Sequence, residues 1–233
     1  MNGKVKKPAK ARLKLWLLLA AVLLVVLILV LLGLRLYQWK KELEQTRLLT
    51  LVDREHPVED DYNSEFILLG EGQMLDSRCV DDLEAMLAAC RQAGGDPVIT
   101  ASFRTWGAQE RAWEEALAAL TEQGFSQEEV ERLLETRLDR PGYSEHELGL
   151  AVDLAEQGSE LPQEQQAETQ TLRWLKENSW RYGFILRYPE NKTALTGMDY
   201  RPWHYRYVGR EAAAQIHELD LSLEEYIQMF YSE

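Results

Sequence analysis

The longest apolar stretch lies close to the start of the chain. Residues 15–34 contain no charged side chain and consist mostly of Leu, Val, Ala and Ile. Such a helix is about 30 Å long, which matches the hydrocarbon core of a bilayer. Basic residues precede it, so a cytoplasmic N-terminus is expected. The pattern predicts a transmembrane anchor at residues 15–36. A cleaved signal peptide is the alternative, although its apolar region is usually shorter and ends at a small-residue site.

Beyond the anchor, the pattern predicts a stalk or linker at residues 37–62 and one domain at residues 63–233. Helical spacing covers residues 74–93, 108–123 and 171–182, and strand-like runs cover 67–69, 98–102, 184–188 and 203–208. Ser126 and Ser222 are each followed three residues later by Glu, which predicts two helix-capping boxes. Helices and hairpin-like strands mix without regular alternation, so the predicted class is α+β.

Charge and cysteine content narrow the possible functions. The formal net charge is −13, and the predicted basic cytoplasmic tail, residues 1–14, holds six basic residues and no acid, so the remainder is still more acidic. Such a domain repels phosphate, which argues against a nucleic-acid partner. Cys79 and Cys90 are eleven residues apart in one predicted helix, hence about 16 Å apart along its axis. That separation is too long for a disulfide, so both cysteines are expected to pack in the core.

Two histidines and one aspartate are the candidate metal ligands. The small apolar run 148–152 predicts a buried strand that ends at Asp153, and a buried carboxylate needs a partner. A cation held by His146 and His204 would supply it, since two imidazoles and one carboxylate are typical of catalytic zinc sites, which keep a fourth position for water. The alternative is that Asp153 caps a turn and both histidines lie on the surface.

Two separated motifs resemble a known family. Residues 144–153 read Ser-Glu-His-Glu-Leu-Gly-Leu-Ala-Val-Asp, and residues 202–209 read Pro-Trp-His-Tyr-Arg-Tyr-Val-Gly. Together they resemble the zinc D-alanyl-D-alanine carboxypeptidases of the vancomycin-resistance type, with shorter matches at 102–105 and 183–189. The resemblance covers roughly residues 63–230. It implies a single zinc D,D-peptidase domain, of the Hedgehog/D,D-peptidase-like fold, behind the N-terminal transmembrane helix.

The resemblance also implies roles for individual residues. His146, Asp153 and His204 would hold one zinc ion, Arg104 would bind substrate beside it, and Ser144 would lie near the substrate backbone. The implied reaction removes the terminal D-alanine of peptidoglycan stem peptides ending in D-Ala-D-Ala. The apolar run before Arg104 places it at a strand end, where its guanidinium suits a carboxylate. A plain surface salt bridge is the alternative for Arg104.

One position departs from the family. The family has a catalytic glutamate three residues before the second histidine, and here that position is Arg201. Arginine stays protonated and cannot act as a base. Loss of acid–base catalysis typically costs about 100- to 10,000-fold in rate. Three hypotheses follow: another acid substitutes, with Glu145, Glu147 and Asp199 as candidates; the domain binds or senses the peptide without cleaving it; or Arg201 alters specificity while a slow reaction persists.

Overall fold

The chain divides into two compact units between Arg47 and Leu48. The structure is a computed structural model that describes residues 9–59, 62–70 and 72–231. Part of the predicted basic tail, residues 1–8, therefore lies outside the described residues.

The described residues of the first unit lie in one long helix, α1 (Ala9–Leu48), whose last residue is counted with the second unit. Its segment Trp16–Leu48 is long and apolar enough to cross a membrane. The large apolar side chains described between Trp16 and Leu36 are exposed, as suits a helix that is apolar on all sides. The predicted anchor lies inside this helix, and its boundaries with the tail and the linker stay predictions.

The second unit is built on a four-stranded antiparallel sheet. Its strand order is β3-β4-β6-β5, and a separate hairpin-like pair joins β1 to β2. The strands are β1 (Phe66–Leu68), β2 (Met74–Asp76), β3 (Pro97–Ala101), β4 (Ala151–Glu156), β5 (Phe184–Leu186) and β6 (His204–Tyr207). The predicted α+β class is confirmed.

Helices cover the sheet and connect its strands. They are α2 (Ser77–Gln92), α3 (Trp106–Glu122), α4 (Gln127–Arg137), α5 (Gln170–Asn178), α6 (Thr193–Thr196), α7 (Arg210–Glu218) and α8 (Leu223–Phe230). Short 3-10 turns lie at Glu145–Leu148, Gln163–Glu168, Ser179–Tyr182 and Glu190–Lys192. The capping boxes predicted at Ser126 and Ser222 are both present, at the starts of α4 and α8.

The main core joins α2 to one face of β4 and β6. Cys79 and Cys90 are free and fully buried in it, which confirms that they pack and form no disulfide. Tyr205 and Tyr207 of β6 belong to the same core. A smaller core forms around α7 and α8 and includes Leu49.

Two local predictions were wrong in detail. The strand expected to end at Asp153 begins later, at Ala151, so Asp153 lies within β4. The reason is Gly149, whose left-handed backbone (φ 72°) ends the preceding 3-10 turn and delays the strand. The helix expected from residue 74 begins at Ser77, because the Asp76 side chain accepts a hydrogen bond from the Arg78 amide and caps it.

Candidate active site

Strand register brings the first two candidate ligands together. Asp153 of β4 lies directly opposite His204 of β6 in the antiparallel pair. Directly opposed residues share one face of a sheet and have neighbouring side chains. The distance from Asp153 Oδ1 to His204 Nδ1 is 2.7 Å. The sequence places these residues 51 positions apart, and the register alone makes them neighbours.

His146 reaches the same point from the 3-10 turn that precedes β4. Its Nδ1–H donates to the carbonyl oxygen of Ser102, at 2.8 Å, and its Nε2 lies 3.4 Å from Asp153 Oδ2. One ligand atom from each of His146, Asp153 and His204 lies within 4.8 Å of the other two, and all three residues are buried. The structure therefore brings together the three residues predicted as a metal site.

This arrangement fits a zinc ion. Ligand atoms about 2.1 Å from a tetrahedral zinc are about 3.4 Å apart, close to the His146–Asp153 separation. Metal-binding histidines usually donate their other ring N–H to an oxygen. His146 does so to Ser102, and His204 Nε2 does so to Glu145 Oε2 at 3.2 Å. Nε2 of His146 and Nδ1 of His204 both face the Asp153 carboxylate and are the nitrogens that would bind the metal.

The three groups differ in their electrostatic environment. Burial lowers the pKa of His146, so its neutral, metal-binding form is favoured. Burial also opposes the charged form of His204, but hydrogen bonds to Asp153 and Glu145 outweigh it and raise its pKa. Burial would raise the pKa of Asp153, yet the two imidazoles hold it well below its usual range. The carboxylate is therefore ionised, as a zinc ligand must be.

Glu145 supports His204 and is not free to accept a proton. Its Oε1 accepts hydrogen bonds from Arg187 Nε at 2.7 Å and from Arg206 Nη1 at 2.9 Å. Burial opposes ionisation, but the two guanidiniums outweigh it and hold the pKa of Glu145 far below its ordinary value. Both oxygens are occupied, so this carboxylate orients the histidine.

The other two acids predicted as substitute bases lie in different surroundings. Glu147 Oε1 accepts from the Gly142 amide at 2.8 Å, and burial raises its pKa. Asp199 is exposed and contacts Thr136 at 3.0 Å and Arg137 at 3.7 Å. These contacts place Asp199 on the surface beside α4.

Arg104 adjoins the metal ligands, as predicted. Its Nη2 lies 3.8 Å from Asp153 Oδ2, and its Nη1 donates to Gln109 Oε1 at 3.2 Å. About a quarter of its side chain is exposed, so a ligand can reach it. Ser144 Oγ is buried and has no hydrogen-bond partner among the described residues, which leaves a hydroxyl available near His146. The substrate-binding roles of both residues stay predictions.

Arg201 is buried against an aromatic ring and a carboxylate. Its Nη1 donates to Asp139 Oδ2 at 3.4 Å, and its guanidinium lies 4.9 Å from the centre of the Tyr188 ring. The same tyrosine stacks on His204, with ring centres 5.1 Å apart. Asp139 therefore compensates the positive charge at the position where the family has its glutamate.

Four residues of this site received no role from the sequence: Arg187, Arg206, Tyr188 and Asp139. A signal existed for Arg206, because the two-residue period of β6 puts it on the same face as His204. A buried arginine beside a ligand implies a carboxylate partner. Sequence spacing gave no signal for Arg187 or Asp139, whose partners are 42 and 62 residues away.

Comparison with known proteins agrees with this geometry. Residues 72–210 match the VanY family, described as D-alanyl-D-alanine carboxypeptidase. The chain belongs to this family. A D-alanyl-D-alanine carboxypeptidase from Enterococcus faecalis (strain ATCC 700802 / V583) is 39% identical to this VanY-family chain over 184 residues, which is 79% of this chain and 67% of the relative. The bifunctional D-Ala-D-Ala dipeptidase and D-Ala-D-Ala carboxypeptidase VanXYC of Enterococcus gallinarum is 29% identical over 184 residues. The match covers 76% of this chain and 92% of that relative.

Solved structures share the fold. VanY from a VanB-type resistance cassette, a glutamate-to-alanine mutant in complex with Zn(II), superposes with a TM-score of 0.71 at 39% identity, covering 78% of this chain and 99% of that one. VanYB in complex with D-alanine-D-alanine superposes with a TM-score of 0.72 at 38% identity. The match covers 78% of this chain and 98% of that one. The L,D-carboxypeptidase LdcB superposes with a TM-score of 0.66 at 29% identity. The match covers 78% of this chain and 86% of that one. The predicted family, its zinc-peptidase fold and its zinc cofactor are confirmed.

Proposed function

We propose that residues 63–233 form a zinc D,D-carboxypeptidase that removes the terminal D-alanine from peptidoglycan stem peptides. One observation carries the proposal: ligand atoms of the buried residues His146, Asp153 and His204 lie within 4.8 Å of one another. Arg104 lies beside them, 3.8 Å from Asp153. The relatives support it, because one VanY structure holds Zn(II) and VanYB holds D-alanine-D-alanine.

Each residue has a role in this proposal. When bound by His146, Asp153 and His204, zinc acidifies water and polarises the scissile carbonyl. Arg104 binds the C-terminal carboxylate of the peptide through its planar guanidinium, and Gln109 fixes the direction of that guanidinium. Ser144 Oγ, which has no partner within the described structure, donates to the substrate backbone.

The location follows from the first unit. We infer that residues 15–36 anchor the protein in the cell membrane as a single span, with residues 1–14 cytoplasmic. The basic tail supports this orientation, since lysine and arginine stay on the cytoplasmic side. The domain is then extracytoplasmic, on the side where cell-wall stem peptides are found.

The proposal is tested with the full chain purified in detergent. We expect D-alanine release from a peptide ending in D-Ala-D-Ala and about one zinc per chain. His146→Ala should abolish zinc binding and D-alanine release together. His56→Asn is the matched control, because His56 is exposed and its ring contacts Asp53, which is not a metal ligand. If the wild-type protein contains no zinc although zinc was present throughout its purification, the proposal is contradicted.

The same assay decides substrate class. The D,D-specific enzyme releases D-alanine from the pentapeptide stem and not from the tetrapeptide stem, whose last bond has an L-residue on its N-terminal side. Release from the tetrapeptide alone would make the chain an L,D-carboxypeptidase, the activity in the name of LdcB.

The runner-up to this proposal, which the presence of Arg201 raises, is a domain that binds or senses the peptide without cleaving it. In that case the wild type would bind the pentapeptide in calorimetry and release no D-alanine. Arg201→Glu would then raise turnover by about 100- to 10,000-fold, since it restores the proton acceptor.

A further inference from the structure

The acid in contact with Arg201 is not one of the three expected from the sequence. Among the described residues, the carboxylate that pairs with the Arg201 guanidinium belongs to Asp139, which precedes the loop into the first metal-ligand motif. Glu145 is held by two arginines, and Asp199 lies on the surface beside α4. Asp139 is therefore the acid adjoining the position where the family has its glutamate.

A closed circuit of contacts connects Asp139 to the metal ligands. From Asp153 the circuit runs through Arg104 (3.8 Å) and Gln109 (3.2 Å) to the carbonyl oxygen of Asp139 (2.6 Å). From the Asp139 carboxylate it returns by ion pairing to Arg201 (3.4 Å) and by ring contacts through Tyr188 to His204, which contacts Asp153 at 2.7 Å. Asp139 is thus connected to the metal ligands by two routes, one through Gln109 and Arg104 and one through Arg201 and Tyr188.

The Asp139 carboxylate keeps hydrogen-bonding capacity. Its Oδ2 accepts one bond, a long one of 3.4 Å, and its Oδ1 makes none with the described residues. Its side chain is 9% exposed, so water reaches it. An ionised carboxylate has about four acceptor sites, so most of those on Asp139 remain open. Glu145, by contrast, accepts bonds from two guanidiniums and an imidazole.

We propose that Asp139 takes the place of the missing glutamate as general base and general acid. An O–H bond of the attacking water breaks, its proton passes to the Asp139 carboxylate, and the hydroxide oxygen bonds to the scissile carbonyl carbon. When the C–N bond breaks, Asp139 returns the proton to the amine nitrogen of the departing D-alanine. Arg201 holds the carboxylate in position. This inference rests on the proposed carboxypeptidase function.

The decisive variant is Asp139→Asn in the full chain. We expect kcat to fall by about 100- to 10,000-fold. Zinc content, and the affinity for D-Ala-D-Ala measured by calorimetry, should change by less than about threefold, because an acid–base group is not needed for binding. Glu135→Gln is the matched control: it removes a half-exposed carboxylate four residues earlier that pairs with Arg140, and it should retain wild-type kcat.

A second variant separates chemistry from folding. In the double variant Asp139→Asn with Arg201→Glu, a carboxylate returns to the family position, so turnover should recover by at least about tenfold over Asp139→Asn. Recovery would show that the fold and the zinc site survive the loss of Asp139, so that Asp139→Asn lacks a proton acceptor. A structural role for Asp139 predicts instead that Asp139→Asn loses zinc and dipeptide binding.

The experiments distinguish a failure of the role proposed for Asp139 from a failure of the carboxypeptidase proposal. Wild-type turnover with an equally active Asp139→Asn overturns the role of Asp139 and leaves the carboxypeptidase proposal standing. Loss of zinc or dipeptide binding in Asp139→Asn, without recovery in the double variant, also overturns it and makes Asp139 structural. A wild type that binds the pentapeptide but releases no D-alanine overturns the proposed function and, with it, this inference.

Discussion

Glu145 and Glu147 flank the same histidine, yet their environments are opposite. Two arginines hold the pKa of Glu145 far below its ordinary value, whereas burial raises that of Glu147. Neither residue type nor sequence position separates them. The difference comes from Arg187, which directly follows β5, and from Arg206, which lies in β6.

Removing the charge of Glu145 should weaken the metal site. Glu145→Gln loses the charged acceptor that orients His204, and such support typically changes metal affinity by about 10- to 100-fold. It also leaves two buried guanidiniums poorly compensated, at a cost of about 3–5 kcal/mol in unfolding free energy. Zinc titration against a chelator and urea unfolding measure the two effects.

Glu168→Gln provides the comparison for Glu145→Gln. Glu168 pairs with Arg173 on the surface, so its loss should change neither quantity measurably. Equal zinc affinity in both variants would show that His204 keeps its orientation without Glu145.

At the scale of elements, the sequence predicted features that depend on neighbouring residues well, and contacts between distant residues poorly. The capping boxes at Ser126 and Ser222 depend on neighbours three residues away and were confirmed. The start of β4 was misplaced, because the left-handed backbone of Gly149 cannot be distinguished from that of an ordinary glycine by its apolar surroundings. The three ligands could be named from motifs, but the acid beside Arg201 depends on a contact across 62 residues.

Gly149 and Gly158 offer a matched pair of substitutions. Both have left-handed backbones, with φ 72° and 71°. A Cβ at Gly149 would lie 2.5 Å from Phe66 and 3.2 Å from the Asp76 amide, whereas a Cβ at Gly158 would meet nothing within 4 Å. Gly158→Ala should cost about 1 kcal/mol from backbone strain alone.

Gly149→Ala should cost about 1–3 kcal/mol more than Gly158→Ala, because Phe66 and the β2 backbone must move. It should also weaken zinc binding, since the turn that carries His146 ends at Gly149. Urea unfolding of both variants measures the difference. Equal losses would show that Phe66 moves aside freely.

At the scale of the whole molecule, the end of α1 belongs to the catalytic domain. Leu48, Leu49 and Val52 are buried in the cores of the second unit. The buried Arg206 donates to the carbonyl oxygens of Leu48 and Thr50, at 3.0 and 2.9 Å, and to Glu145. One guanidinium therefore links the segment 48–50 to the support of His204.

Two truncations should have different outcomes. A chain that begins at Leu48 keeps these contacts and should fold and bind zinc. A chain that begins at Asp53 loses three buried apolar side chains, each worth about 1.5–3 kcal/mol, and the acceptors of Arg206. We expect it to unfold at a markedly lower temperature and to bind zinc more weakly. Equal melting temperatures and zinc affinities would show that the segment 48–52 is dispensable.

Residues of the site alternate with residues of the apolar core along β6, so the site helps to fix the register of this strand. His204 and Arg206 lie on one face of the strand, and Tyr205 and Tyr207 enter the apolar core on the other. A slip of one residue would exchange the faces, driving two charged groups into the core and two phenols against Glu145. A one-residue misalignment of this short strand is therefore heavily penalised. The residues proposed for catalysis thus also help to exclude competing folds, so replacing them with apolar side chains would remove a selection against misfolding.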